Sequence, residues 1–223
     1  MIVQIYSLET AEEAAACAEA GADQIGVLVS RKLDGRYPCE VLPEQALEIF
    51  DTLRGKVRRS VLISTDSDPD QILQMMNYLH ADVLQLCADY HGSLDFRRRM
   101  KEECPWAELM EAIGIRDRSS IPEAEEKAAY SDYLILDSIP DNNPGIGATG
   151  VTHDWNIDRE IILKVKIPII EAGGLGPENV KDAIDFLHPW GVDSCTETSR
   201  FENGKIVGKD LEKVRAFCKA AKQ

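Results

Sequence analysis

Short runs of valine, isoleucine and leucine recur along the whole chain, and the segments between them carry apolar residues at helical spacing. The runs predict strands at Ile2–Ile5, Gln24–Val29, Ser60–Ile63, Val83–Leu86, Leu109–Ile113, Tyr133–Asp137, Ile167–Glu171 and Gly191–Cys195. They fall roughly every 28 residues, the rhythm of repeated βα units. Helix starts lie between them: Thr10 with Glu13 forms a capping box, Asp68-Pro69 supplies a cap and a first-turn proline, and Asp210 opens the final helix. Gly21 and Gly55 mark helix ends. Eight such units without a linker, the last helical segment being Leu211–Ala221, predict one α/β domain over residues 1–223, a closed (β/α)8 TIM barrel. A doubly wound open sheet is the alternative fold.

A barrel holds its site at the carboxyl ends of its strands. One turn there, Ala172-Gly173-Gly174-Leu175-Gly176-Pro177-Glu178-Asn179-Val180, suits a phosphate. Its glycines let main-chain N–H groups approach an anion, while Gly176 as cap and Pro177 at the first helical position start a helix whose positive end faces that anion. The loop Arg31–Tyr37 after the second strand is basic, and Arg36 is its candidate anion clamp, because a guanidinium fork matches a carboxylate or phosphate. Asp137 follows apolar Leu134-Ile135-Leu136, so burial can raise its pKa and make it a proton donor near neutrality. The segment from Ser138 to Thr152, with Pro140, Pro144, Gly145, Gly147 and Gly150, has the length of a functional loop.

Composition narrows the partners. A chain of 223 residues, 44% hydrophobic and 29% charged, with no apolar run long enough to cross a bilayer, is that of a soluble globular protein with no membrane partner. A net charge of −14 repels nucleic acid and leaves any bound phosphate to local amides and one or two basic side chains. Cys17, Cys39, Cys87, Cys104, Cys195 and Cys218 include no C-x-x-C pair, and Met1 leads straight into a strand, so the expected compartment is the cytoplasm.

Gly147-Ala148-Thr149-Gly150-Val151-Thr152-His153-Asp154-Trp155 resembles the G-G-T-G-x-T-F-D-W loop of the phosphoribosylanthranilate isomerase family. Ala22-Asp23 with Gly26, Arg36-Tyr37, Gln85-Leu86, Leu136-Asp137, Ala172-Gly173-Gly174-Leu175 with Pro177-Glu178-Asn179-Val180, and Val192-Asp193 are similar in the same order. The resemblance covers nearly the whole chain. It implies the barrel fold, a small phosphorylated sugar as substrate, no cofactor, a monomer or homodimer, and an Amadori-type aldose-to-ketose isomerisation, in the family a step of tryptophan biosynthesis. It also implies Asp137 as general acid, Arg36 as a contact to the anthranilate carboxylate, and Gln85, Gly147, Gly150, Gly173, Gly174 and Thr196 as substrate-binding positions.

The chain departs from the family at the base. Where the family begins K-I-C-G-x-T, with cysteine as base, this chain reads Gln4-Ile5-Tyr6-Ser7-Leu8-Glu9, so Tyr6 takes the cysteine's position. A phenol with pKa near 10 is a poor base unless a cation depresses it. Cys87, at the position of a family histidine, and Glu171 are the chemical alternatives. The family's S-S-G phosphate turn reads Cys195-Thr196-Glu197, which sets a carboxylate beside the expected phosphate, and a usual lysine is Glu111. The expectation is an Amadori-type isomerase or related proton-shuttling enzyme, with the tryptophan-pathway step itself left open. Two other readings remain. Glu111, Asp137, Glu171 and Glu197, all near strand ends, would hold a divalent metal if they faced inward together, as in a metal-assisted epimerase, aldolase or hydrolase. The barrel could equally be a non-catalytic ligand-binding protein. His153 reads as a packed loop histidine.

Overall fold

The computed structural model describes residues 1–139 and 153–223. Eight parallel strands, β1 (Ile2–Tyr6), β2 (Gln24–Val29), β4 (Arg59–Ser64), β5 (Val83–Leu86), β6 (Glu108–Ile115), β7 (Tyr133–Ser138), β8 (Ile169–Glu171) and β9 (Gly191–Ser194), pair in sequence, with a two-residue β3 (Glu40–Val41) beside β2. β1 pairs with β9 on one side and β2 on the other, which closes the sheet into the expected (β/α)8 barrel. Eight helices surround it: α1 (Ala11–Glu19), α2 (Pro43–Leu53), α3 (Pro69–Leu79), α4 (Leu94–Glu103), α5 (Ser120–Lys127), α6 (Trp155–Lys164), α7 (Val180–Leu187) and α8 (Leu211–Ala221). Among the described residues no helix is long and apolar enough to cross a membrane.

The local signals set the element ends. Asp68 caps α3 by accepting from Asp70 N–H, with Pro69 in the first turn, and Asp210 caps α8 by accepting from the N–H groups of Glu212 and Lys213. Gly21 and Gly55 have φ of 112° and 73°, the left-handed backbone that glycine enters without penalty. The capping box forms only by half: Thr10 Oγ1 accepts from Glu13 N–H, whereas the Glu13 carboxylate accepts from the Lys209 N–H instead of returning to the cap. A hairpin absent from the sequence reading, β10 (Ser199–Glu202) and β11 (Lys205–Lys209), turns at Asn203-Gly204, both with positive φ.

Two apolar layers sit on the two faces of the barrel wall. Val61, Ile63, Val83, Met110, Ala112, Tyr133, Ile135, Ile170 and Ala172 cluster inside the barrel. Their neighbours along the strands, such as Leu62, Leu84 and Leu109, or Ile113, Leu134 and Ile169, meet the helices. The strand period of two makes this division, and it fixes which polar side chains enter the pore.

Tyr6 enters because its partner across β1 and β2 is Gly26. A Cβ at position 26 would lie 2.8 Å from Tyr6 Cβ and 3.1 Å from Ile63 Cδ1, so only glycine fits beside this point of β1. Gly26→Ala is therefore expected to destabilise the fold by about 1–3 kcal/mol, the usual cost of overpacking. In a Tyr6→Gly background the same change costs less, because the Cβ it would meet at 2.8 Å is gone. Thermal denaturation of the two singles and the double checks this; strict additivity would contradict it.

Candidate active site

The pore at the carboxyl ends of the strands is polar. Asp137 lies two residues beyond Ile135 on the inward face of β7, and Cys87 packs against the same interior cluster just after β5. Tyr6 comes in from β1, Gln85 from β5, and Asp193, next to outward Val192, from β9. Gln4 Nε2 donates to Gln85 Oε1 at 3.3 Å, which fixes Gln85 deep in the barrel. Asp193 is 1% exposed, and its Oδ1 has no hydrogen-bond partner. The sequence reading quoted Asp193 only within a motif; its place inside the pore follows from counting strand positions by twos.

Burial governs the protonation of this group. It pushes the Asp137 carboxyl up to about 7, against a hydrogen bond from Ser138 N–H and the nearby His153, both of which favour the carboxylate. Asp193 is raised well above the usual range, first by burial and then by the Asp137 charge. Burial also pushes Cys87 up to about 12, with Asp137 and Glu111 adding to it, and carries Tyr6 well above the ordinary phenol. At neutral pH the pore thus presents a half-protonated Asp137, a thiol and a phenol. A proton donor is in place before any substrate arrives.

The four acidic strand ends do not converge. Glu111 stands between inward Met110 and Ala112, and Glu171 between inward Ile170 and Ala172, so alternation turns both carboxylates outward toward the helices. Glu111 accepts from Gly92 N–H at 2.5 Å and lies 3.5 Å from the buried Lys127 ammonium, a strand-to-helix contact outside the pore. Glu171 faces His153 and Asp158 of α6, which also rules it out as a base acting within the pore. Glu197 sits in a single 3-10 turn, Thr196–Thr198, with its Cβ 2.7 Å from where a Cβ at Gly176 would be. Only Asp137 of the four lines the pore, so the carboxylate metal site that the sequence left as an alternative is not formed there.

At the rim, Gly173 and Gly174 have φ of 85° and 64° and donate no N–H to another backbone carbonyl among the described residues. The helix expected at Pro177 begins at Val180 instead. The Asn179 side chain, rather than capping α7, accepts from Gly176 N–H at 2.8 Å and donates to Gly174 O at 2.9 Å, locking the turn. Thr196 Oγ1 is buried without a partner beside this corner. Behind it the buried Lys209 ammonium donates to Cys195 O at 3.1 Å and Ser199 Oγ at 3.0 Å, a positive charge that the sequence reading passed over. Arg36 reaches the mouth from the loop after β2, where its fork holds the Asp89 carboxylate through bonds of 2.6 and 2.8 Å. Gly147 and Gly150 lie outside the described residues.

A sequence model of the family "N-(5'phosphoribosyl)anthranilate (PRA) isomerase" matches residues 3–220. The N-(5'-phosphoribosyl)anthranilate isomerase of Methanocella arvoryzae is 35% identical over 96% of this chain and 95% of its own length. That of Haloferax volcanii is 31% identical over 99% and 92%. The crystal structure of phosphoribosyl anthranilate isomerase from Thermotoga maritima superposes with a TM-score of 0.80 at 26% identity, covering 100% of this chain and 99% of that one. A match over nearly every residue, on a barrel whose inward acid and glycine turn lie where the family motifs put them, makes this chain a member of the phosphoribosylanthranilate isomerase family.

Proposed function

We propose that this chain isomerises N-(5'-phosphoribosyl)anthranilate, opening its furanose ring and moving the carbonyl character from C1 to C2. The observation that carries the reading is Asp137, inward-facing, buried and half-protonated near pH 7. Asp137 protonates the ring oxygen; the C1–O bond breaks and the anilino nitrogen's lone pair forms a cationic C1=N bond. A base removes the C2 proton, the electrons return to nitrogen through an enol, and the enol tautomerises to the ketose. No step needs a cofactor, in keeping with the family.

Tyr6 replaces the family's cysteine, which is why the sequence left the tryptophan-pathway step open; relatives at 31–35% identity that carry the isomerase name favour that step for this chain. The base we assign is Cys87. Burial keeps its thiol unionised, but the iminium created by Asp137 places a cation beside it and lowers its pKa when the base is required. Tyr6 remains protonated and donates a hydrogen bond to the sugar. Arg36 exchanges Asp89 for the substrate carboxylate, Gln85 holds the sugar from below, and Gly173, Gly174 and Thr196 receive the phosphate with Lys209 behind them. Gly147 and Gly150 belong to the substrate loop by resemblance.

Turnover by the purified protein tests the assignment. Asp137→Asn and Cys87→Ala are each expected to lower kcat about 10²- to 10⁴-fold, the range of general acid–base catalysis, and Tyr6→Phe by about tenfold at most. Unchanged turnover in Asp137→Asn would overturn the mechanism, and loss in Tyr6→Phe but not Cys87→Ala would move the base to Tyr6. As pH rises through about 7, kcat/KM falls as Asp137 loses its proton.

The same shift acts on stability. The folded pKa of about 7 lies above the roughly 3.9 of an unfolded aspartate, so between these values the folded chain binds more protons. That stabilisation is complete below the unfolded value and lost as pH rises through about 7. Glu111, also pushed by burial to about 7, acts with the same sign. Melting temperature should therefore fall from pH 5 to 8, less steeply in Asp137→Asn; an identical slope would contradict the buried state of the acid.

A further inference from the structure

Between β8 and α6, on the outer face of the barrel wall, three ionisable side chains meet that the isomerase chemistry does not use. His153 Nε2 lies 2.6 Å from Asp158 Oδ2 and 3.7 Å from Glu171 Oε1. Asp158 and Glu171 are 0% exposed. Among the described residues neither oxygen of Glu171 has a hydrogen-bond donor, and the only group beside Asp158 able to donate is the His153 imidazole. Two carboxylates and one imidazole give this buried cluster more acceptors than donors, and buried acceptors without donors are unfavourable.

We propose that His153, Asp158 and Glu171 bind a divalent first-row transition cation, of the zinc or manganese class, that pins α6 to β8. Donor atoms of the three residues all lie within 4.8 Å of one another. A cation about 2.1 Å from each sets the donors about 3.0–3.4 Å apart at octahedral or tetrahedral angles, so side-chain adjustments of about 1 Å bring the set into range. One imidazole with two carboxylates suits Mn²⁺, Fe²⁺, Co²⁺ or Zn²⁺ better than a soft ion. The support for the ligand is present as well: Ser138 Oγ lies 3.0 Å from His153 Nδ1, so Nδ1 can donate there and leave the Nε2 lone pair for the metal. Gly173 leaves room for this pair, since a Cβ there would stand 2.5 Å from Ser138 Oγ and 3.1 Å from His153 Nδ1. The site is thus built against the back of the glycine turn, on the opposite face of β8 from the pore, and its ion is structural.

The test needs no substrate, so its outcome is independent of the isomerase reading. Untagged protein purified without chelator is analysed for metals, stripped with chelator, and titrated with Co²⁺, Zn²⁺ and Mn²⁺. The proposal expects about one equivalent bound per chain, a visible Co²⁺ absorption band, and a melting temperature raised by roughly 5–10 °C at a hundredfold excess over Kd. Glu171→Gln and Asp158→Asn should each abolish the metal response, because each removes a ligand oxygen. If Glu171→Gln does not fold, His153→Ala carries the comparison. Stripped wild-type protein with no Co²⁺ band and no thermal response, or an undiminished response in the variants, would overturn the proposal.

Discussion

Side chains on a barrel strand alternate between the pore and the surrounding helices, and at the carboxyl ends of these strands that alternation decides which acids can act together. Asp137 and Glu171 occupy neighbouring strands and sense each other's charge, yet one enters the pore and the other faces α6. The inward acid meets substrate space; the outward one meets His153 and Asp158. A wall one residue thick separates Asp137 from the buried cluster of His153, Asp158 and Glu171.

Desolvation then sets the chemistry on the pore side. It holds Asp137 near neutrality, keeps Cys87 and Tyr6 protonated, and lifts Asp193 as well, so the pore carries little charge before substrate arrives. In the mechanism proposed above, the charge arrives with the substrate: a phosphate for the glycine turn, a carboxylate for Arg36, and a cationic imine formed by the acid's own proton. In that mechanism acid and base act in order, the first creating the field that activates the second. An overall charge of −14 does not oppose this, because the Gly173-Gly174 turn, Thr196 and Lys209 form a local site.

The eight barrel strands were legible because each is an apolar run bounded by turn signals, and helix caps such as Asp68-Pro69 and Asp210 fell where expected. Asp137 was legible for the same reason, as the residue ending such a run, whereas Tyr6, Cys87 and Gln85 were singled out by the family resemblance. The β10–β11 hairpin carried an Asn203-Gly204 signal that went unread within an acidic and basic stretch. Facing was harder. Glu111 and Glu171 sit one residue from pore-lining neighbours, so an error of one position in strand phase turns an outward carboxylate into a supposed metal ligand. Asp158 was invisible in the sequence, because its role depends on which side of α6 meets β8. The helix expected at Pro177 failed because the Asn179 side chain closes the glycine turn on itself and delays α7 to Val180.

Growth of a bacterium that lacks its own phosphoribosylanthranilate isomerase, on medium without tryptophan, tests the central claim most directly. The account predicts that this chain restores growth despite Tyr6 in the cysteine's position, because Asp137 and the rebuilt base complete the proton transfer. A folded, well-expressed chain that leaves the cells dependent on tryptophan would contradict it.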